Sequence, residues 1–200
     1  ILRAGAHSPS LGIMFPMISS IDEFRTACQT VRQAIVTLNE ENLPHHPEPK
    51  LGAMIELPAI VEIIDELARE ADFLSIGTND FTQYMLAADR TNKHVAAYYQ
   101  PYHPSVLRAL ARIVQRAAAS RVPVSVCGEV AHHEDFVPFL IGIGIRRLSV
   151  DPQFLPALQS TIRAMSVTRA EDYAKELLSV STTAQVEQVR KEWDWSSDSA

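Results

Sequence analysis

Three groups capable of acid–base or nucleophilic chemistry stand at the ends of short apolar runs. Glu56 and Cys127 directly follow such runs, and Asp80 closes the polar segment SIGTND at 75–80, where a third run ends. Enzymes built from alternating strands and helices place their reactive groups at the carboxyl ends of parallel strands. We therefore expect the two carboxylates and the thiol to share one pocket.

The two carboxylates suit a hard divalent cation. Mg²⁺ takes oxygen ligands and uses one or two protein carboxylates, leaving its other positions to water and substrate oxygens. Glu56 and Asp80 could supply them, although each alone fits an ordinary acid at a helix N-terminus equally well. The neighbours of Asp80 favour a binding site, because Gly77 permits close backbone approach and Thr78 and Asn79 add hydrogen-bonding groups.

Two further side chains are candidates with open alternatives. Arg90 could hold a carboxylate or phosphate through two parallel hydrogen bonds, or it could form a surface pair with Asp89. Cys127 could act as a proton donor or nucleophile, or it could be packing. Cys28 lies on the apolar face of an amphipathic helical pattern, which predicts a small buried hydrophobe.

Alternating elements must position these groups. Apolar runs typical of buried strands occur at 12–15, 52–55, 73–76, 123–126 and 147–150, with helical patterns between them. This order predicts right-handed βαβ units and a parallel sheet in an α/β fold. About five such units are fewer than the eight of a TIM barrel, and no dinucleotide-binding fingerprint is present. We therefore expect the C-terminal part of a (β/α)8 TIM-type barrel.

Capping signals mark the starts of predicted helices, and the helical C-terminal part predicts a division of the chain. Ser20 with Glu23 forms a capping box before the first helix, and Thr168 with Glu171 predicts another near the C-terminus. The predicted division is residues 1–165 as the partial barrel and residues 166–200 as a helical tail that packs on it. The polar segment at 39–50 is a predicted loop, and residues 194–200 should be irregular.

Composition excludes several classes of protein. With 200 residues, of which 46% are hydrophobic, the chain can bury a substantial core. A net charge of −6 argues against a nucleic-acid surface, and no apolar run approaches the roughly 20 residues of a membrane span. Two cysteines fit a reducing compartment, so we expect a cytoplasmic protein. The first residue, Ile1, is not methionine, and a fragment of a longer protein is expected.

Taken together, the motifs resemble the C-terminal phosphoenolpyruvate-binding domain of enzyme I, the phosphoenolpyruvate–protein phosphotransferase of the bacterial phosphotransferase system. The resemblance extends over about residues 1 to 165. The matching segments are MFPMI at 14–18, MIELPA at 54–59, DFLSIGTNDFTQY at 72–84, ADR at 88–90, YQP at 99–101 and CGE at 127–129. The segment HPSVLRAL at 103–110 is more similar to the nitrogen-related branch than to the sugar branch.

The resemblance implies a (β/α)8 barrel that binds phosphoenolpyruvate with Mg²⁺. It also implies a homodimer and transfer of the phosphoryl group to a histidine on a separate N-terminal domain, then to a phosphocarrier protein of HPr type. Glu56 and Asp80 match the metal ligands of the family. Asn79, the Asp80 backbone and Arg90 match its substrate contacts, and Cys127 matches its proton donor.

The sequence also departs from the family. The phosphohistidine domain and the early barrel strands that bring further phosphate-binding arginines are absent, so only part of the pocket is expected, without full turnover by this chain alone. A pyruvate phosphate dikinase or phosphoenolpyruvate synthase is an alternative, because their barrels use similar carboxylates and a similar cysteine. A barrel that senses phosphoenolpyruvate without catalysis is a third possibility.

Overall fold

Four parallel strands form the centre of the computed structural model, which describes residues 1–193 and 195. The strands lie in the order of the sequence and are β1 Gly12–Phe15, β2 Lys50–Ile55, β3 Phe73–Gly77 and β4 Val124–Cys127. The helices are α1 Ile21–Glu40, α2 Ile64–Glu70, α3 Thr78–Leu86, α4 Pro104–Ala119, α5 Val137–Gly142, α6 Leu155–Arg163, α7 Val167–Ser179 and α8 Thr183–Glu192. The predicted α/β class and the parallel sheet are confirmed.

The central strand β3 is buried on both faces, which explains its uninterrupted apolar run. Its consecutive residues Leu74, Ser75 and Ile76, whose side chains point to alternate faces, are 1%, 4% and 0% exposed. The polar loop before β2 is shorter than predicted, because α1 continues to Glu40. Cys28 of α1 is buried and unpaired, as its helical position predicts.

The fifth predicted strand is not a regular strand. Residues 147–150 run beside β4, but they pair with it only through a single parallel bridge between Val126 and Leu148. Two hydrogen bonds hold this bridge, from the Val126 N–H to the Arg147 carbonyl and from the Ser149 N–H to the Val126 carbonyl. A short helix turn with Pro152 in its first turn follows at once, which leaves little room for a longer ladder.

The helix starts are partly as predicted. Ser20 caps α1, since its hydroxyl accepts from the Glu23 N–H, while the Glu23 carboxylate accepts from Ser19. The predicted start at Thr168 is wrong: α7 begins at Val167, because Ser166 lies two residues earlier in extended backbone and caps the helix.

Helix α7 packs against α5 and against the residue that follows α8. Gly142 of α5 lies so close to α7 that an added Cβ would collide with the Ala170 carbonyl oxygen. Tyr173 of α7 is buried against Trp193, with ring centroids 5.2 Å apart. The predicted irregular end, residues 194–200, lies outside the described residues apart from Trp195. Among the described residues, no helix combines the length and apolarity needed to cross a membrane.

Candidate functional site

Glu56 is a buried carboxylate at the end of β2. It is 6% exposed, and its Oε2 accepts a hydrogen bond of 2.9 Å from the backbone N–H of Met17, which follows β1. Met17 has a φ of 56°, so its amide is turned into this position by a left-handed backbone conformation. On the other side, a Cβ at Gly77 would lie 2.8 Å from the Glu56 Cγ, so glycine makes room for the carboxylate.

Two side-chain hydrogen bonds join the start of α3 to the end of β4. The Thr78 hydroxyl donates to the Cys127 carbonyl at 2.8 Å, and Asn79 Oδ1 accepts from the Glu129 N–H at 3.0 Å. Parallel pairing of Gly77 with Cys127 brings these ends level. Because Asn79 uses Oδ1 in this contact, its Nδ2 is the part of the amide that can donate to a ligand.

The tight connection after β4 requires glycine. Gly128 has φ 99° and ψ −179°, a region that is essentially restricted to glycine. A Cβ there would lie 2.5 Å from the Thr78 hydroxyl oxygen and 2.9 Å from Asn79 Oδ1. The glycine therefore allows the two strand ends to approach each other.

The Cys127 thiol is part of the same group of side chains. Its Sγ lies 3.8 Å from the Ser75 hydroxyl and 3.5 Å from the Ile76 carbonyl oxygen, to which the thiol donates. Burial raises the pKa of Cys127, and the nearby charges of Glu56 and Asp80 raise it further, against a hydrogen bond from Ser75 that lowers it. The thiol is thus protonated at neutral pH, the state needed to give a proton.

Arg90 reaches the end of β4 from the connection after α3. Its Nη1 lies 3.2 Å from Glu129 Oε1, and its side chain is 32% exposed. Its ion pair is with Glu129 rather than Asp89, whose carboxylate accepts hydrogen bonds from the backbone and hydroxyl of Thr91. The guanidinium therefore lies at the strand end that carries Cys127.

The two carboxylates fit a cation that takes most of its ligands from water and substrate. Among residues 1–193 and 195, no three or more His, Cys, Asp or Glu side chains are grouped to hold a metal. A closed structural site is therefore not formed by the described part of the chain. Glu56 directly after β2 and Asp80 in the first turn of α3 offer carboxylate oxygens, and Mg²⁺ commonly uses no more than two from the protein.

Several contacts of this site could not be predicted from the sequence. Met17 contacts Glu56 across 39 positions, and no local pattern signals such a contact. Ser75 and Thr78 lie inside the SIGTND segment, but their bonds to Cys127 depend on how β3 and β4 pair. The acid of the CGE motif, Glu129, could have been predicted as the partner of a nearby arginine.

Comparison with known proteins places the sequence in a family context. The family described as PEP-utilising enzyme, PEP-binding domain, matches residues 1–167. The chain is 38% identical over 186 residues to a phosphoenolpyruvate-protein phosphotransferase of Priestia megaterium, covering 93% of this chain and 32% of that protein. It is 36% identical to the protein of the same name from Bacillus subtilis (strain 168), again covering 93% of this chain and 32% of that one.

A further relative and one solved structure complete the comparison. A protein of Escherichia coli (strain K12) named phosphoenolpyruvate-dependent phosphotransferase system is 37% identical, with 93% of this chain and 25% of that protein covered. The chain thus spans about a third or less of the length of these relatives. A crystal structure of a citrate lyase from Burkholderia xenovorans LB400 has a similar fold, with a TM-score of 0.57 at 20% identity, over 96% of this chain and 64% of that one.

Proposed function

Because this chain belongs to the family of phosphoenolpyruvate-utilising enzymes defined by their phosphoenolpyruvate-binding domain, we propose that it binds phosphoenolpyruvate as part of a phosphoenolpyruvate–protein phosphotransferase. The observation that carries the proposal is that Glu56, Asp80 and Cys127 lie together at the carboxyl end of the sheet. They are close enough that the charges of both carboxylates raise the pKa of the thiol. The names of the relatives from Priestia megaterium and Bacillus subtilis support the same activity.

The substrate contacts in this proposal come from three residues. Asn79 Nδ2 and the Asp80 backbone amide, in the first turn of α3, donate to an anionic oxygen of phosphoenolpyruvate. Arg90 turns its remaining N–H groups to the phosphate or the carboxylate while Glu129 orients the guanidinium from the other side. Glu56 and Asp80 would hold Mg²⁺, which when bound supplies positive charge to the phosphoryl and enolate oxygens.

Cys127 completes the reaction in this proposal. The bond between the phosphorus and the enol oxygen breaks as the phosphoryl group passes to a histidine that lies outside this chain. The pyruvate enolate that remains takes the Cys127 proton at its methylene carbon and becomes pyruvate. Burial keeps this thiol protonated until the enolate forms, and the thiolate then regains a proton from water.

The wider assembly is part of the same proposal. The histidine-bound phosphoryl group would pass to a phosphocarrier protein of HPr type, and the protein would work as a homodimer in the cytoplasm. Two free cysteines fit that reducing compartment. Residues 1–165 would be part of the barrel, and residues 166–200 its C-terminal tail. The nitrogen-related branch stays a prediction from residues 103–110.

Isothermal titration of phosphoenolpyruvate with Mg²⁺ into the full natural protein tests the binding site. The Glu56→Gln/Asp80→Asn double variant should bind at least about tenfold more weakly, because both metal-binding carboxylates are lost. A matched control is Glu62→Gln/Asp65→Asn, since those carboxylates form exposed pairs with arginines of α4. Equal affinity in the first double variant and the wild type would refute the metal assignment.

Turnover tests the role of the thiol separately from binding. The Cys127→Ala variant should bind phosphoenolpyruvate normally and form pyruvate about 10²- to 10⁴-fold more slowly, the usual loss when a proton donor is removed. The Cys28→Ala variant is the control, because that thiol is buried in α1. Normal pyruvate formation by Cys127→Ala would remove Cys127 from the mechanism.

A further inference from the structure

Arg190 of α8 contacts two loops, one that follows α3 and one that follows β4. Its guanidinium carbon lies 3.8 Å from the centroid of the Tyr102 ring, and its Nη2 lies 3.2 Å from Asp135 Oδ2. Tyr102 belongs to the first loop, residues 87–103, and Asp135 to the second loop, residues 128–136. One side chain therefore contacts the loop that carries Arg90 and the loop that follows Cys127.

The position of the Arg190 guanidinium is fixed from several directions. Its Nη1 pairs with Glu187 Oε2 at 2.8 Å within α8, and its side chain is only 25% exposed. A capping box of Thr182 and Gln185 defines the start of the helix. A single exposed ion pair contributes little, but a planar guanidinium that stacks on an aromatic face and bonds two carboxylates is held in orientation as well as in place.

The two loops meet again at the candidate site, and between Arg190 and that site they touch through the rings of Tyr102 and Phe136, whose centroids lie 4.6 Å apart. At the site, Arg90 and Glu129 form their 3.2 Å pair. A cavity of about 240 Å³ lies between that pair and Arg190, lined by Tyr99 and other residues of both loops. Because the loops enclose a cavity there, their relative position depends on the contacts around it: the Arg90–Glu129 pair, the ring contact of Tyr102 with Phe136, and the contacts of Arg190.

We infer that Arg190 is a positioning residue for the candidate site. By holding Tyr102 and Asp135 together, it keeps the two loops at the spacing at which Arg90 and Cys127 face one ligand. It acts through the loops, since its loop contacts are with Tyr102 and Asp135, while Glu187 of α8 and Tyr173 of α7 hold it on the helices. The consequence for catalysis rests on the proposed function, whereas the loop positions can be measured without a ligand.

Hydrogen exchange of the protein tests the loop positions directly. In Arg190→Gln, amides of the first and second loops should exchange at least about threefold faster, while those of β2 and β3 keep their protection. Arg190→Lys should restore part of the protection, because it keeps a cation over the ring. Arg108→Gln is the control: Arg108 bonds the Val180 carbonyl before α8 and leaves the Arg190 contacts intact.

Asp135→Asn provides a second variant that leaves α8 unchanged, and it should loosen the second loop alone. Unchanged loop exchange in both Arg190→Gln and Asp135→Asn would overturn the inference. Equally faster exchange in the loops and in β2 and β3 would also overturn it, because that pattern means a general loss of stability.

Protection of Cys127 from iodoacetamide by phosphoenolpyruvate links the loops to the site. Half-protection should need at least about fivefold more phosphoenolpyruvate in Arg190→Gln than in the wild type, with recovery in Arg190→Lys. The same half-protection concentration in Arg190→Gln and the wild type would overturn the role at the site. If phosphoenolpyruvate fails to protect the wild type while the loops still respond to Arg190→Gln, the proposed function fails and the loop contact stands.

Discussion

Two side-chain hydrogen bonds join the start of α3 to the end of β4: Thr78 donates to the Cys127 carbonyl and Asn79 accepts from the Glu129 N–H. The spacing of the candidate site depends on these two bonds. Asn79, Asp80 and Cys127 could be singled out from the sequence, because they stand together with other matching motifs at the ends of apolar runs. Their contacts could not be predicted. The bond from Met17 to Glu56 is set by the pairing of strands far apart in the chain.

Substitution of Gly128 tests the close approach of the two strand ends. Gly128→Ala should lower the free energy of unfolding by about 1–3 kcal/mol, through backbone strain and contact with the Thr78 hydroxyl. Gly144→Ala is the matched control: its φ is 104°, but the nearest atom to its Cβ, in Val114, is 3.5 Å away. Urea unfolding of both variants gives the comparison, and a smaller loss for Gly128→Ala than for Gly144→Ala would contradict the account.

The reactivity of Cys127 reports the charges around it. Alkylation requires the thiolate, so a raised pKa slows the reaction at a fixed pH. Glu56→Gln should speed alkylation by about twofold or more, because one of the charges that raise the Cys127 pKa is lost. Ser75→Ala should slow it, because the hydrogen bond that lowers this pKa is removed.

Mass spectrometry of iodoacetamide-treated protein measures both rates, with Cys28 as the internal reference. Changes of the same sign in the two variants would be inconsistent with the charges and hydrogen bond described for Cys127.

At the scale of elements, strand and helix order could be predicted and the detailed ends could not. Alternation of apolar runs with helical periodicity identified all four strands. The fifth run forms only a bridge at Leu148, since an apolar run does not reveal how many residues find a partner. The capping residue of α7 was predicted two residues too late, at Thr168 instead of Ser166, because both residues satisfy the preference for a hydroxyl at a helix start.

Because Tyr173 of α7 is buried, the stability of the protein should decrease at alkaline pH. Burial raises the pKa of Tyr173 to about 12. In the unfolded chain the pKa of this tyrosine is near 10, so the unfolded state loses the proton first as pH rises. The contribution of Tyr173 to the free energy of unfolding is therefore fully present below about pH 10 and decreases towards pH 12. The expected fall from this residue is about 2–3 kcal/mol.

Urea unfolding between pH 8 and 11 measures this dependence, a range chosen around the ordinary tyrosine pKa of about 10. Tyr173→Phe should show a smaller fall than the wild type, and Tyr98→Phe, at a position 69% exposed, should show the same fall as the wild type. An identical fall in Tyr173→Phe would mean that Tyr173 does not keep its proton in the folded protein. Burial also raises the pKa of Tyr102, so part of the fall should persist.

At the scale of the whole molecule, the candidate site lies at the carboxyl end of the sheet. The four parallel strands place both carboxylates, the thiol and an arginine at one edge of the sheet, and the chain spans about a third or less of the relatives. The family could be predicted from the sequence because the motif around Asp80, residues 72–84, is long and specific. The contact of Arg190 with both loops could not, since α8 is distant from them in sequence.

The central claim is that the ends of β2, β3 and β4 form one phosphoenolpyruvate site, and protection of Cys127 tests it most directly. In the full natural protein with Mg²⁺, phosphoenolpyruvate at about ten times its Kd should slow Cys127 alkylation about tenfold. Glu56→Gln/Asp80→Asn should lose this protection, and the Cys28 rate should not change. Equal Cys127 rates with and without saturating phosphoenolpyruvate in the wild type would contradict the account.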